Sequence, residues 1–379
     1  MELLRFDTEK RYGPFKPLNA VNNGPCHKRH ANDQNRSNLA AYRAARIPYA
    51  RCHDTSEWVG YGGEHVADIT AIFPNFAADP YDPASYDFPV TDEYVQVTLE
   101  AGTETFYRLG QKIEHWVKKY GTLPPTDFHK WAVICEHIIR HYNEGWANGY
   151  HLGIRYWEIW NEPDLDKDDS PHKRTWGGTK AMFFDFFETA VKHLKACFPH
   201  LKIGGPAVAG NMAWSADFLS EMHRREVPLD FFSWHIYCSE PEQMISRAQT
   251  ARKLMDENGY AYAESILNEW NYVKSWGEDF TRSIKAIIGM HGAAFTMACM
   301  AAAQKSSIDM LMYYDAKPHF FNGLFDFYTL GTLKGYYPFL WYGMLNDYPN
   351  EIRCEAEPEG IYTLCGADAD GRLLCIIAN

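Results

Sequence analysis

Tyr156-Trp-Glu-Ile-Trp-Asn-Glu-Pro163 is a short run of bulky residues that ends in an Asn-Glu pair and is closed by proline. Aromatic and β-branched side chains fit a pleated surface. Proline donates no hydrogen bond to a ladder, so the run stops as a strand at Glu162. Ser265-Ile-Leu-Asn-Glu-Trp270 follows the same grammar and also reaches an Asn-Glu pair near its end. Two parallel strands that each deliver a glutamate at the C-terminal end are what a (β/α)8 TIM barrel produces. In that fold all strand ends of one polarity surround a single cavity.

Working outward, short strand-like runs alternate with longer stretches of helical period, as parallel strands with crossover helices require. Strands are predicted at 18–22, 49–53, 104–109, 155–160, 202–205, 231–237, 265–270 and 309–314. Helices are predicted near 36–46, 91–101, 127–143, 179–197, 214–225, 241–257, 281–304 and 333–345. Within 126–142, Trp131, Ile134, Cys135, Ile138 and Ile139 recur at three- and four-residue intervals. That is the stripe of an amphipathic helix, with Thr126 or Asp127 placed to cap it. Serial strand–helix units without a GxGxxG turn favour a closed barrel over an open nucleotide-binding sheet. The expected division is a catalytic barrel over 12–348 and a small, incomplete β-rich side domain over 349–379, joined by 1–11. Asp368-Ala-Asp-Gly371 between two apolar runs marks a hairpin there. An insert at 58–88 follows the second strand and is expected either to project over the cavity or to pack as a surface excursion.

Bulk properties narrow the partners. The 379-residue chain carries a formal net charge of -12 and shows no basic stripe, so a phosphate backbone would be repelled and nucleic acid is not an expected partner. No apolar run approaches the length of about 18 residues that a membrane span needs. Nine cysteines are scattered without a CxxC pair. Together with an opening segment that lacks the pattern of an export signal, they lead to an expectation of reduced thiols and a cytoplasmic location. Twelve Trp and 24 Tyr offer flat faces on which sugar rings stack, alongside their ordinary use in cores. Cys26-His27-Lys-Arg-His30 does not have zinc-ligand spacing and reads as a basic loop. His137 and His141 lack the HExxH order and read as a helix-face coincidence. No metal and no cofactor is expected; the oligomeric state is left open.

The chemistry suited to two facing carboxyls is acetal hydrolysis. One carboxyl, protonated, donates to the leaving oxygen, while the other, ionised, meets the oxocarbenium-like carbon. Arg51 and His53 at the end of the second strand, and His235 and Tyr237 at the end of the sixth, are placed to bind sugar hydroxyls, with packed core roles as the alternative. At Asn161-Glu162-Pro163 and Leu267-Asn-Glu-Trp270 the chain resembles the retaining glycoside hydrolases of clan A. Within that clan it is most similar to family 39, the β-xylosidase and α-L-iduronidase group, on Tyr49-Ala-Arg-Cys-His53 and Asp230-Phe-Phe-Ser-Trp-His-Ile-Tyr237. The resemblance implies Glu162 as general acid/base, Glu269 as nucleophile, Asn161 on the sugar 2-hydroxyl, and a small carbohydrate substrate with β-xylosides first. α-L-Uronides, arabinosides and galactosides are the alternatives, with a non-catalytic carbohydrate-binding barrel behind them. It also implies a tryptophan at the end of the eighth strand, where Tyr313, Tyr314 and Asp315 stand instead.

Overall fold

The computed structural model describes residues 3–27, 36–53 and 65–379. Eight parallel strands form a closed barrel in sequence order: β1 (Ala20–Asn22), β2 (Tyr49–Arg51), β3 (Glu104–Leu109), β4 (Tyr156–Ile159), β5 (Lys202–Val208), β6 (Phe231–Cys238), β7 (Glu264–Tyr272) and β8 (Met310–Tyr313). Closure is made by β1 against β8, with Ala20 opposite Met312 and Val21 opposite Tyr313. The helices are α1 (Leu39–Ala45), α2 (Ile69–Ile72), α3 (Pro89–Glu100), α4 (Phe128–Glu144), α5 (Lys180–Cys197), α6 (Met212–Arg224), α7 (Pro241–Glu257), α8 (Phe280–Ile287), α9 (Met290–Gln304) and α10 (Tyr336–Met344).

Strand alternation sorts side chains to two cores. Tyr49, Phe106, Tyr156, Phe231, Ile266 and Met310 point inward and plug the barrel floor as one cluster. Their neighbours Ala50, Tyr107, Trp157, Phe232, Leu267 and Leu311 point outward and join the helices in the larger core. The amphipathic stripe predicted around residue 134 is α4, capped by the Asp127 carboxylate on the Lys130 amide at 2.9 Å and ended by Gly145 at φ 78°.

One helix is read wrongly from sequence. The predicted 281–304 helix is two, α8 and α9, meeting at a bend of 78°. Gly289 sits at the corner with extended backbone, and α9 sinks its small residues into the core. The apolar character runs through the corner without a gap, so periodicity does not reveal it. Among the described residues no single helix is long and apolar enough to cross a bilayer.

After the barrel, β9 (Asn350–Ile352), β10 (Tyr362–Ala367) and β11 (Leu373–Ala378) form an antiparallel sheet in the order β11-β10-β9. The predicted hairpin turns at Asp368, whose amide donates to the Arg372 carbonyl at 3.0 Å, with Gly371 at φ 81°. Phe6 bridges to Cys354, bringing the N-terminal segment onto this sheet. Leu364, Ile376 and Ala378 belong to the same buried cluster as the barrel's outer shell, so the sheet shares the barrel's core. Cys365 and Cys375 face each other across the hairpin.

Candidate active site

Above the aromatic floor, the inward positions of the next layer are polar: Asn22, Arg51, Glu158, Ser233 and Asn268, each fully buried. Arg51 donates through Nε to Glu158 at 2.6 Å, through Nη1 to Asn22 at 3.1 Å and through Nη2 to the Asn161 carbonyl oxygen at 2.6 Å. Ser233 donates to Glu158 at 2.6 Å, and the Asn268 amide donates to the same carboxylate. A buried ion pair is held only when its remaining donors and acceptors are satisfied, and this one is braced from β1, β6 and β7 and by Asn161 just after β4.

Backbone irregularities then aim the two glutamates. Trp160 and Glu162 have left-handed φ values of 72° and 48°, a conformation costly for residues with a Cβ. It is held by the Glu162 amide on the Ala207 carbonyl at 2.8 Å and by the Thr175 hydroxyl on the Glu162 carbonyl at 2.6 Å. On β7 the register against β6 steps from Trp234–Leu267 to His235–Glu269. This bulge turns the consecutive residues Asn268 and Glu269 to the same, inner side, which regular alternation forbids.

The carboxyls consequently converge. His235 Nδ1 lies 2.8 Å from Glu162 Oε1 and 3.6 Å from Glu269 Oε2. A carboxylate oxygen of each glutamate and that nitrogen all fall within 4.8 Å of one another. Tyr237 donates its hydroxyl to Glu269 Oε1 at 2.7 Å, while Arg51 Nη1 and His53 Nε2 lie 3.6 and 3.7 Å from Oε2. Burial pushes the Glu269 carboxyl up to about 7; the charge of Glu162 adds to this, while His235, Arg51 and the Tyr237 hydrogen bond oppose it. Burial also lowers His235 to about 4, against the pull of Glu269. The three groups have spacing that a metal ion can use, as do Glu136, His193 and Cys197 on α4 and α5. At the glutamates the Arg51 guanidinium already supplies a nearby positive charge.

The cavity over these groups has a volume of about 810 Å³, in the ordinary range for small-ligand sites. Glu162, Glu269, His235 and Tyr237 line it. Arg51, His53 and Asn161, also expected to touch sugar, lie just beneath, each almost wholly buried. Arg51 is therefore a positioning residue: its donors go to Glu158, Asn22 and Asn161. The Arg51 bond holds the Asn161 amide so that its Nδ2, itself buried, makes no hydrogen bond among the described residues. Tyr314 lines the wall where a tryptophan was expected. Among the tryptophans near the strand ends, Trp276 lines the cavity, Trp176 is buried, and Trp146 packs on Tyr86 and His137.

His141 donates through Nδ1 to the Trp146 carbonyl and faces Asp92 through Nε2, and His137 donates to the Val133 carbonyl, as structural histidines do. Residues 28–30 of the basic loop and 58–64 of the insert lie outside the described residues. The rest of the insert is mostly a packed excursion: Tyr81 and Tyr86 meet His137, and Asp68 receives Arg108 at 2.9 Å. His65 is its contribution to the cavity wall. Sequence reading missed Glu158, Asn22, Ser233 and Asn268. The signal was there for Glu158, a charge inside the apolar run Tyr156–Ile159.

Replacing Arg51 with methionine is expected to cost about 3–5 kcal/mol of stability, because Glu158 is left buried without a counter-charge. Adding Glu158→Gln should return much of it. Urea unfolding midpoints check this, and a single variant as stable as wild type would make Arg51 dispensable to the layer.

Fold and site together define a (β/α)8 barrel with a carboxyl pair at its C-terminal mouth. The chain belongs to the glycosyl hydrolases of family 39, whose family model matches residues 2–280. It is 26% identical over 238 residues to a β-xylosidase of Geobacillus stearothermophilus, an alignment covering 54% of this chain and 45% of that protein. The chain thus spans about half the length of that curated relative. In structure it is similar to a glucosidase from Croceicoccus marinus, with a TM-score of 0.80 and 24% identity over 99% of this chain and 78% of that one. A family 39 β-xylosidase from Caulobacter crescentus gives a TM-score of 0.67 and 16% identity, over 97% and 81% of the two chains. These two likenesses speak for the fold.

Proposed function

We propose that this barrel hydrolyses glycosidic bonds with retention of configuration, Glu162 acting as general acid/base and Glu269 as nucleophile. The observation that carries the reading is the short spacing of the two carboxyls, oxygens within 4.8 Å. Retaining enzymes need about 5–5.5 Å so that the second carboxylate itself reaches the anomeric carbon, whereas inverting ones need about 6.5–9.5 Å to admit a water. Tyr237 donates to Glu269 and Arg51 faces it, and both offset the burial that raises this carboxyl; the productive form of the pair is the one in which its single proton sits on Glu162. Glu162 gives that proton to the leaving oxygen, Glu269 bonds to the anomeric carbon, and Glu162 then takes a proton from the water that releases the sugar. Asn161 Nδ2, buried just beneath the cavity and without a hydrogen bond among the described residues, is the donor assigned to the sugar 2-hydroxyl. The substrate reading is a terminal β-xyloside, supported by the name of the Geobacillus relative.

The test is a panel of 4-nitrophenyl glycosides, xyloside, glucoside, arabinoside, galactoside and uronide, with NMR of the first-formed anomer. An inverted product removes the mechanism, and xyloside turnover far below another sugar removes the substrate. A pH profile adds a signed prediction. With Glu269 raised to about 7 in the presence of the Glu162 charge, the pair keeps one proton below that pH and loses it above. Activity needs that proton, so kcat/KM is expected to fall about tenfold per pH unit above 7. A profile still flat two units higher would contradict the shared-proton arrangement.

A further inference from the structure

On a chain of net charge -12, the cavity wall beside Glu162 presents two guanidinium groups. Arg174 comes from the segment between β4 and α5, and Arg247 from α7; both line the cavity with Glu162, Leu165, Ala209 and Gly210. Arg174 is already committed to Asp166, at 2.7 Å from Nη2 and 3.1 Å from Nε. Arg247 differs. Its one hydrogen bond runs from Nη1 to the Gly210 carbonyl at 2.5 Å, and no carboxylate pairs with it among the described residues.

Its place is built. Gly210 has φ 117°, a backbone conformation that side-chain-bearing residues rarely adopt, and a Cβ there would sit 2.6 Å from Arg247 Nη1 and displace the guanidinium from its place along this loop. The loop is pinned by Asp164, buried and two residues beyond Glu162, whose oxygens accept from the Ala209 and Asn211 amides at 2.7 and 3.0 Å. Arg247 is therefore fixed relative to Glu162 itself. Asp315 also lines the cavity, with Lys317 and His319, and accepts from His319 at 2.9 Å, from the Lys317 amide at 2.7 Å and from Asn23 at 2.8 Å.

An acid that protonates the departing oxygen faces the leaving group, so the Glu162 side of the cavity is where that group lies. We infer that the leaving group bears a carboxylate and that Arg247 binds it, an inference resting on Glu162 being the acid. A guanidinium presents paired donors that match a carboxylate, and the interaction strengthens where the cavity wall excludes water.

The experiment uses two aryl glycosides of whichever sugar the panel identifies, one with a 4-carboxyphenyl and one with a 4-carbamoylphenyl leaving group. The readout is the ratio of their kcat/KM values in wild type, Arg247→Gln and Arg247→Lys, so that general losses and intrinsic leaving-group reactivity cancel. Arg247→Gln is expected to lower the ratio about tenfold, the worth of a charge-assisted hydrogen bond, with Arg247→Lys between. In wild type the ratio should shrink in about 0.5 M sodium chloride. An active wild type whose ratio is the same in Arg247→Gln overturns this inference alone. A wild type inert toward both compounds and the whole nitrophenyl panel overturns the hydrolase reading, and this inference with it.

Discussion

Replacing Glu269 with glycine is expected to lower turnover of every glycoside by about 10⁴-fold or more, because in the proposed mechanism this carboxylate forms the bond to the anomeric carbon. Tyr237, Arg51 and His53 all converge on this carboxylate and none is itself placed as a nucleophile. Shortening the side chain to glycine opens a small cavity on the face of the sugar opposite the leaving group. Sodium azide should enter it and restore turnover with an activated aryl glycoside, yielding a glycosyl azide of inverted anomeric configuration. NMR of that product is the decisive measurement. If neither azide nor formate revives the variant while its fold is intact by circular dichroism, Glu269 is not the nucleophile.

Glu162→Ala is expected to separate substrates by their leaving groups. In the proposed mechanism an alkyl or sugar leaving group takes its proton from Glu162, and should lose about 10²–10⁴-fold. A dinitrophenolate departs without help, so its first step should be nearly spared, and release of the sugar should become limiting. Azide then speeds the second step and gives a glycosyl azide of retained configuration, the opposite outcome from the Glu269 variant. The pairing of Glu162 with His235 at 2.8 Å adds a control. His235→Phe should mimic part of the loss without changing the azide product. A uniform loss across all leaving groups in Glu162→Ala would remove the acid role.

The two variants probe a site whose parts differ in how openly the chain declares them. Glu162 and Glu269 were legible because each closes a strand-like run, and a barrel carries such ends to one mouth. His235 and Tyr237 were legible for the same reason. Arg51 was legible as a residue of the site with two uses open, a sugar hydroxyl or a packed barrel interior, and its burial against Glu158 and Asn161 favours the second. Glu158 stood in plain sight within Tyr156–Ile159, but its partner Arg51 lies on a different strand, and no local pattern links the two. Arg247 sits in an unremarkable helix, and only the glycine-bearing loop opposite it shows why it reaches the cavity.

By itself the order of residues determined the (β/α)8 barrel, the polarity of its strands and the two glutamates carried toward its C-terminal mouth. Those follow from periodicity, turn chemistry and the handed connection of parallel strands, all of which act within a few dozen residues. Tertiary structure alone decided the distance between the carboxyls, the β7 bulge that turns Asn268 and Glu269 inward together, and the corner between α8 and α9. These depend on how separate strands shift in register and on which polar groups must be satisfied once buried. Such demands arise only when distant segments are packed together.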